Sequence, residues 1–288
     1  MQVHEITSTQ NPRLKATAKL RDQRGRRRAG LFIAEGRRAV DRAHAAGLVF
    51  REVWVCPALL SPTREQAQYE YEALVRRHAG VWIGSCSPAV LRKLAYVREP
   101  EGVLAVCEPP AWDVGLLGRV DDTTMDLIAV GTEKPGNLGA MVRTADAAGC
   151  RAVVAAGTPV DAMNPNAIRA STAAVFTLPT LSLTEDEALS RLRDSGHRVI
   201  AAYPDAEPAP VRDALESIGH TRADYAGPVA IAVGPEDRGL DARWAELAHA
   251  TGGALVRIPM HGRADSLNAS VAAAVLLYEA ERQRRGAD

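Results

Sequence analysis

The chain has 288 residues, of which 47% are hydrophobic and 24% charged, the composition of a folded domain rather than of a disordered or fibrous protein. Its 35 basic and 35 acidic residues balance to zero, and its four cysteines lie far apart without CxxC spacing, which argues against a zinc signature and a disulfide scaffold. No apolar run approaches the roughly 20 residues of a membrane helix, and the first residues lack the apolar core of a signal peptide. We therefore expect a reduced, cytoplasmic protein with no membrane partner.

Positive charge is concentrated at the start of the chain. Residues 1–38 contain ten Lys or Arg against three acids, which leaves +7 there and −7 in the remainder, since the chain has 35 of each. Phosphate contacts come chiefly from Lys and Arg, so a basic end on a neutral protein suggests a polyanion partner.

The first part of the chain predicts a small alternating α/β module. RRAVDRAHAAG is typical of a helix, REVWVCP of a strand, TREQAQYEYEALVRRHAG of a longer helix, and AGVWIGS and EGVLAVCEPP of strands. Pro109 and Pro110, followed by the polar stretch 121–124, then predict a boundary. We expect domains at 1–110 and 125–288, joined by a linker at 111–124.

Beyond the boundary the alternation becomes regular. The predicted strands are DLIAVGT, CRAVVAAG, HRVIAAYP, GPVAIAVG and GALVRIPM. The predicted helices are LGAMVRTADAAG, NPNAIRASTAAV, TEDEALSRLRDSG, DARWAELAHATGG and the long SLNASVAAAVLLYEAERQRR. Strands alternating with helices predict the α/β class with a parallel sheet covered on both faces.

Three polar clusters follow predicted strands: Asn137 to Arg143, Gly234 to Glu236, and Ser266 to Asn268. Groups at the carboxyl ends of parallel strands converge on one crevice, where such folds bind ligands. Each cluster also has a simpler explanation: Asn137 as a helix N-cap, Glu236 as a solvated acid, Ser266 as the cap of the last helix with Asn268 in its first turn. No GxGxxG, GKS or GKT is found, which disfavours both common nucleotide-binding folds.

The same clusters carry a resemblance. GNLGAMVRTADAAG, GPEDRGL and IPMHGRADSLNASVAAAVLLYE are similar, in order and spacing, to three motifs of the SpoU (TrmH-like) RNA ribose 2′-O-methyltransferases of the SPOUT class. NPNAIRASTAAVFTLP resembles the segment between the first two motifs. The N-terminal ITSTQNPRLKATAKL and RRAGLFIAEGRRAVDRA resemble an RNA-binding domain that is similar in fold to ribosomal protein L30e. The resemblance covers nearly the whole chain.

The resemblance implies a fold, a cofactor and a partner copy. It implies a small N-terminal L30e-like α/β domain and a C-terminal parallel-sheet SPOUT domain with a trefoil knot, a rare exception to unknotted connectivity. It implies S-adenosyl-L-methionine as the cofactor and no metal, because the sulfonium supplies the leaving group. The cofactor contacts it implies are Gly234, Ile258, Leu267, Ala201, Ala202 and Tyr203. It also implies a homodimer, for which Val271, Val275 and Leu276 of the last helix are suited, although packing on the helix's own core would explain them equally.

The resemblance also implies a catalytic set, Arg143, Asn137, Glu236, Ser266 and Asn268. Arg143 either removes the proton of the ribose hydroxyl or, since a guanidinium normally stays protonated, holds the adjacent phosphate and the oxygen. Asn137 would orient Arg143 or the ribose, and the other three would position the loop, the arginine and the target nucleotide. Two positions depart from the family: Pro235, which removes a backbone donor, and Ala173, where glycine is common.

The expected function is therefore S-adenosylmethionine-dependent 2′-O-methylation of 23S ribosomal RNA, in a housekeeping or an antibiotic-resistance role. Two alternatives stay open: a tRNA guanosine 2′-O-methyltransferase, and a non-catalytic RNA-binding or ribosome-assembly protein. The stretch 21–28 is either a solvated helix face or a phosphate-binding surface. The expected RNA contacts are Arg13, Arg21, Arg24, Arg26, Arg27, Arg28, Arg37 and Arg169.

Overall fold

The computed structural model describes residues 2–203, 217–264 and 266–286. The chain divides into two compact units, the first comprising Met1–Ala111 with Met163–Thr177 and the second Trp112–Ala162 with Leu178–Asp288. The first unit thus includes a short segment, Met163–Thr177, that lies between two stretches of the second unit in sequence. The domain limits 1–110 and 125–288 stay a prediction.

The first unit is built on a five-stranded mixed sheet with the order β1-β4-β3-β5-β2. Its strands are β1 (Val3–Ile6), β2 (Phe32–Glu35), β3 (Phe50–Val55), β4 (Trp82–Cys86) and β5 (Val103–Cys107). Strand β4 pairs in parallel with β1 and β3, whereas β5 runs antiparallel to β3 and β2. Its helices are α1 (Pro12–Ala18), α2 (Gln23–Ala29), α3 (Arg37–Ala45), α4 (Pro57–Leu60), α5 (Arg64–Arg77), α6 (Pro88–Leu94) and, from the later segment, α8 (Pro165–Ala170).

The second unit contains a seven-stranded, all-parallel sheet with the order β10-β12-β9-β11-β6-β7-β8. Its strands are β6 (Met125–Val130), β7 (Ala152–Ala156), β8 (Thr180–Leu183), β9 (Arg198–Ala202), β10 (Ile218–Gly219), β11 (Val229–Val233) and β12 (Ala254–Arg257). Its helices are α7 (Pro135–Ala147), α9 (Glu185–Arg193), α10 (Ala242–Ala250) and α11 (Ala269–Arg285). Strands β6, β7 and β11 are buried along their whole length, as expected when both faces of a parallel sheet are covered. The predicted α/β class and parallel sheet are confirmed.

The strand order places a crevice at the carboxyl edge of this sheet. Strands β6, β7 and β8 follow one another outward, and the chain then continues with β9 on the other side, where β11 separates it from β6. Such a reversal opens a crevice at the carboxyl ends of the strands around it. The trefoil knot stays a prediction. None of the helices described is long and apolar enough to span a membrane.

Three helix boundaries differ from the sequence predictions. Helix α7 begins at Pro135, since proline favours the first helical position, so Asn137 lies in the first turn and is not the N-cap. Helix α11 is capped by Asn268, whose side chain accepts from the Ser270 amide, so Ser266 is not its cap. The predicted helix 164–175 ends at Ala170 and gives way to a 3₁₀ turn at Ala174–Phe176, because Thr172 and Ala173 adopt positive φ angles of 51° and 68°.

Candidate active site

A pocket lies at the carboxyl edge of the parallel sheet, within the second unit. Its walls come from the ends of β9, β11 and β12 and from the start of α11. The predicted cofactor residues that line it are Ala202, Tyr203, Gly234, Ile258 and Leu267. Ala201, also predicted, is fully buried in β9 and does not line the pocket.

The loop after β11 approaches the strand end so closely that it requires glycine. A Cβ at Gly234 would lie 2.6 Å from the carbonyl carbon of Gly239 and 2.8 Å from the amide nitrogen of Leu240. The turn between them is closed by the Gly239 amide, which donates to the Pro235 carbonyl at 3.0 Å. The side chain of Pro235 packs over Gly131, where a Cβ would lie 2.9 Å from Pro235 Cγ. Gly131, directly after the neighbouring strand β6, thus makes room for the proline that departs from the family pattern.

Beside the pocket, one carboxylate oxygen joins the three polar clusters. Glu236 Oε1 accepts from Asn137 Nδ2 at 3.0 Å, from Asn268 Nδ2 at 2.6 Å and from the Ala269 amide at 3.2 Å. Asn268 Nδ2 also donates to Asn137 Oδ1 at 3.3 Å. A carboxylate can only accept, so it turns both amide groups toward itself and places negative charge at the N-terminus of α11, where the helix dipole favours it. We call these three side chains the amide–carboxylate cluster.

The other two predicted catalytic residues lie outside this cluster. Arg143 is six positions beyond Asn137 on α7, which turns it by about 240° around the helix axis at ~100° per residue. Its side chain is exposed and makes no hydrogen bond or ion pair to any residue that the structure describes. Ser266 is exposed and lines the pocket. The structure therefore brings together Asn137, Glu236 and Asn268 and leaves Arg143 facing solvent.

Sequence reasoning missed Lys134 at the rim of this site. Lys134 is the N-cap residue of α7, and its Nζ lies 3.9 Å from Glu236 Oε2 while 73% of its side chain is exposed. The signal was present, because Pro135 marks the first helical position and so places Lys134 at the helix start. Met260 and Gly239 also line the pocket, and both lie within segments that carry the family resemblance.

The predicted RNA-contacting arginines in and around α2 differ in burial. Arg21, Arg24, Arg27 and Arg28 are exposed in or beside α2. Arg26 is only 4% exposed, and its Nη1 donates to the carbonyl oxygens of Leu20 and Arg21 at 3.0 and 2.9 Å. Its prediction as a phosphate contact is wrong, because the buried guanidinium holds the turn before α2.

Other predicted RNA contacts are partly engaged within the first unit. Arg13 pairs with Glu52 at 3.1 Å and lies over the Trp82 ring, 4.2 Å from its centroid. The Arg37 guanidinium binds Glu70 and the Leu60 carbonyl. Arg169 is exposed and donates to Asn166 Oδ1 at 2.8 Å.

A second polar cluster lies at the opposite, amino edge of the parallel sheet. The His197 ring has Ser195 Oγ 2.7 Å from Nδ1 and Asp126 Oδ2 3.0 Å from Nε2. Arg151 donates to both oxygens of Asp126, from Nε at 3.2 Å and from Nη2. Asp126, His197 and Ser195 are 0%, 2% and 6% exposed. We call Asp126, His197 and Ser195 the buried triad.

Two family models match the chain. The SpoU rRNA Methylase family matches residues 124–278, and the MRM3-like substrate binding domain matches residues 11–105. The first match contains the pocket, the amide–carboxylate cluster and Arg143. The second contains the exposed arginines of α2.

Similar proteins extend over nearly the full chain. A 23S rRNA (uridine(2479)-2′-O)-methyltransferase of Streptomyces viridochromogenes is 30% identical over 273 residues, covering 93% of this chain and 88% of the relative. A solved RNA 2′-O ribose methyltransferase is 41% identical with a TM-score of 0.79, covering 98% of this chain and 100% of its own. An AdoMet-bound rRNA methyltransferase from Sinorhizobium meliloti is 28% identical with a TM-score of 0.79, covering 98% of this chain and 99% of its own.

Proposed function

We propose that this chain, which belongs to the SpoU rRNA Methylase family, transfers the methyl group of S-adenosylmethionine to a ribose 2′-hydroxyl of large-subunit ribosomal RNA. The observation that carries the proposal is the position of the amide–carboxylate cluster beside a pocket at the carboxyl edge of the parallel sheet. A methyl donor and a ribose need such neighbouring sites, because much of the rate gain comes from aligning the methyl group with the attacking oxygen.

The residues of the pocket fit S-adenosylmethionine. Ile258, Leu267 and Met260 would give an apolar wall for its adenine ring, and the strand ends at Ala202 and Gly234 would present backbone polar groups to it. Gly234 has no side chain to shield its backbone from a ligand. Glycine is needed there because a Cβ would collide with the turn at Gly239 and Leu240. When bound, the cofactor supplies an activated methyl group on a sulfonium.

The role that we assign to Arg143 is electrostatic. A guanidinium carries a permanent positive charge, so Arg143 is suited to holding the phosphate next to the ribose and to stabilising charge on the 2′-oxygen while that oxygen loses its proton to solvent water. Asn137, Glu236 and Asn268 fix the loop ends around the ribose, and Ser266 lies on the pocket wall beside them. This version replaces direct base action by Arg143, which needs a neutral guanidinium.

A homodimer through α11 is part of the proposal. Val271 and Tyr278 are 47% and 51% exposed, and with Val275 they follow the i, i+4, i+7 spacing of one helix face. Leu276, predicted for this face, is instead fully buried in the core of the second unit. We expect Tyr278→Glu to convert a dimer to a monomer in analytical ultracentrifugation, and a wild-type protein that sediments as a monomer would refute the dimer.

The first unit would bind the RNA, in the cytoplasm where ribosomal RNA is found. Arg21, Arg24, Arg27 and Arg28 present exposed guanidinium groups on one short stretch, which suits contacts to the phosphate backbone rather than to base edges. Such contacts make the affinity for RNA fall as salt rises.

The test is methyl transfer from labelled S-adenosylmethionine to separated rRNA and tRNA pools, followed by mapping of the alkali-resistant nucleotide. We expect label at a single ribose of large-subunit rRNA. Label in tRNA instead would favour the tRNA guanosine 2′-O-methyltransferase, and cofactor binding without any transfer would favour a non-catalytic RNA-binding protein. Antibiotic sensitivity of a strain without the gene separates a resistance role from housekeeping.

A further inference from the structure

A large cleft in the first unit has no role in the function described so far. It holds about 780 Å³ between α3, the loop at 96–101 and the segment 165–173, and all of these residues belong to the first unit. This lies within the ~300–1,000 Å³ of small-molecule pockets. The cleft is therefore large enough for a single nucleotide.

The cleft presents one aromatic side chain held at both ends. Tyr96 is 40% exposed and lines the cleft. Its backbone amide donates to Glu35 Oε2 at 2.7 Å, and its hydroxyl accepts from Asn166 Nδ2 at 2.9 Å. A ring fixed in this way loses little conformational freedom when a base stacks on it, and aromatic stacking of unpaired bases is the usual way in which proteins read single-stranded RNA.

Two arginines that line the same cleft have N–H groups that remain available to a ligand. Arg38 and Arg42 are four residues apart on α3 and so share a face. Arg38 is exposed, without a hydrogen bond or ion pair to any residue in the described ranges. Arg42 is also exposed and uses Nη1 on the Thr172 carbonyl at 2.7 Å. A guanidinium carries five N–H donors, so both side chains can bind a phosphate.

The acidic groups of the cleft are mostly engaged elsewhere. Asp41 accepts from Arg77, and Glu101 accepts from the Arg37 amide. Glu35 accepts from the Tyr96 and Val97 amides, and burial raises the pKa of this carboxyl. Because Asp41 pairs with Arg77, which lies outside the lining, the exposed arginines Arg38, Arg42 and Arg169 remain available to an anion. They are opposed by Glu99, an exposed acid of the same lining.

We infer that this cleft binds one unstacked nucleotide of the RNA substrate, with the base on Tyr96 and its phosphate at Arg38 and Arg42. The inference rests on the proposed function and adds to it a second contact, in the first unit, separate from the pocket that holds the cofactor. It predicts that the substrate contains an unpaired nucleotide away from the methylated one.

The test compares Tyr96→Ala, Tyr96→Phe and Arg38→Ala with the matched control Arg64→Ala, which alters another exposed arginine without a described partner. Binding to large-subunit rRNA is measured by filter retention over a range of salt concentrations, alongside S-adenosylmethionine affinity. We expect Tyr96→Ala to weaken RNA binding at least about fivefold, and Arg38→Ala to weaken it and reduce the salt slope by about 0.7. Tyr96→Phe keeps the stacking ring and should retain most of the affinity.

Three results would overturn the inference. One is RNA affinity and salt slope in Tyr96→Ala and Arg38→Ala that match those of Arg64→Ala. Another is loss of S-adenosylmethionine affinity in the same variants, which would mean a structural defect. The third is binding of free adenosine or guanosine monophosphate as tightly as RNA, which would assign the cleft to a small nucleotide. Failure of the proposed function is distinguishable, because it removes methyl transfer by the wild-type protein itself.

Discussion

The two edges of the parallel sheet hold polar clusters that differ in access to solvent. At the carboxyl edge, Glu236 joins Asn137 and Asn268 beside an open pocket, with 31% of the Glu236 side chain exposed. At the amino edge, Asp126 joins His197 and Arg151 with no exposure at all for the Asp126 side chain. Both edges fix residues that are far apart in sequence.

Residue type alone would favour the amino edge as the active site. Ser195, His197 and Asp126 are the residue types of a hydrolase triad, yet the Ser195 hydroxyl also lies 2.9 Å from the Leu192 carbonyl and the group is buried. The carboxyl edge has less familiar residue types but lies at the strand-order reversal, where open α/β sheets bind ligands. On its position in the topology, rather than on residue type, we assign methyl transfer to the carboxyl edge, and we propose that the amino edge is a structural anchor.

The largest effect is expected at the amino edge. Asp126→Ala leaves the buried His197 and the Arg151 guanidinium without their shared acceptor, and breaking such a pair costs about 3–5 kcal/mol. Urea unfolding measures the decrease in the free energy of unfolding. Asp122→Ala is the matched control, since Asp122 is exposed and has no described partner, and should stay within about 0.5 kcal/mol of wild type. A decrease below about 1 kcal/mol in Asp126→Ala would show that Asp126 does not anchor the amino edge of the sheet.

Gly234→Ala should act on the pocket at the carboxyl edge. The new methyl would lie 2.6 Å from the Gly239 carbonyl carbon, so the turn must shift at a cost of about 1–3 kcal/mol. We expect the dissociation constant of S-adenosylmethionine, measured by calorimetry, to rise by at least about tenfold. In the control Gly219→Ala the new methyl has nothing within 4 Å. Equal cofactor affinity in the two variants would show that this turn does not shape the cofactor site.

Glu236→Gln should have the smallest effect. Its carbonyl oxygen can still accept from Asn137 and Asn268, so the loss is that between a charged and a neutral hydrogen bond, about 1 kcal/mol. Thermal unfolding with and without S-adenosylmethionine measures it. A loss above about 3 kcal/mol would mean that the carboxyl edge depends on its carboxylate charge as strongly as the amino edge does, and the contrast between the edges would fail.

Sequence reasoning predicted the parts of this fold that follow from local pattern. Buried parallel strands are short apolar runs, so β6, β7, β9 and β11 were evident. Strands β1, β2 and β8, of four residues each, were missed. Strand β12 is equally short but lies in the longer apolar segment GALVRIPM, which was predicted as a strand. The family motifs brought Asn137, Glu236 and Asn268 to one place, and the structure puts them in contact.

The remaining features depend on tertiary contacts that no local pattern contains. His197 and Asp126 are 71 residues apart, and their pairing depends on strand order. Arg26 lies in a run of arginines, and its burial depends on the turn before α2. At Ala173, where glycine is common in the family, the φ of 68° explains the preference for glycine through backbone strain.

We propose that methyl transfer takes place at the carboxyl edge and that the buried triad takes no part in it. Single-turnover transfer from labelled S-adenosylmethionine to large-subunit rRNA, measured in parallel for Arg143→Ala and Ser195→Ala, tests it most directly. We predict that Arg143→Ala loses transfer by roughly a hundredfold to a thousandfold with cofactor affinity within a few-fold, and that Ser195→Ala transfers at nearly the wild-type rate. Near-normal transfer by Arg143→Ala, or loss of transfer by folded Ser195→Ala, would contradict the account.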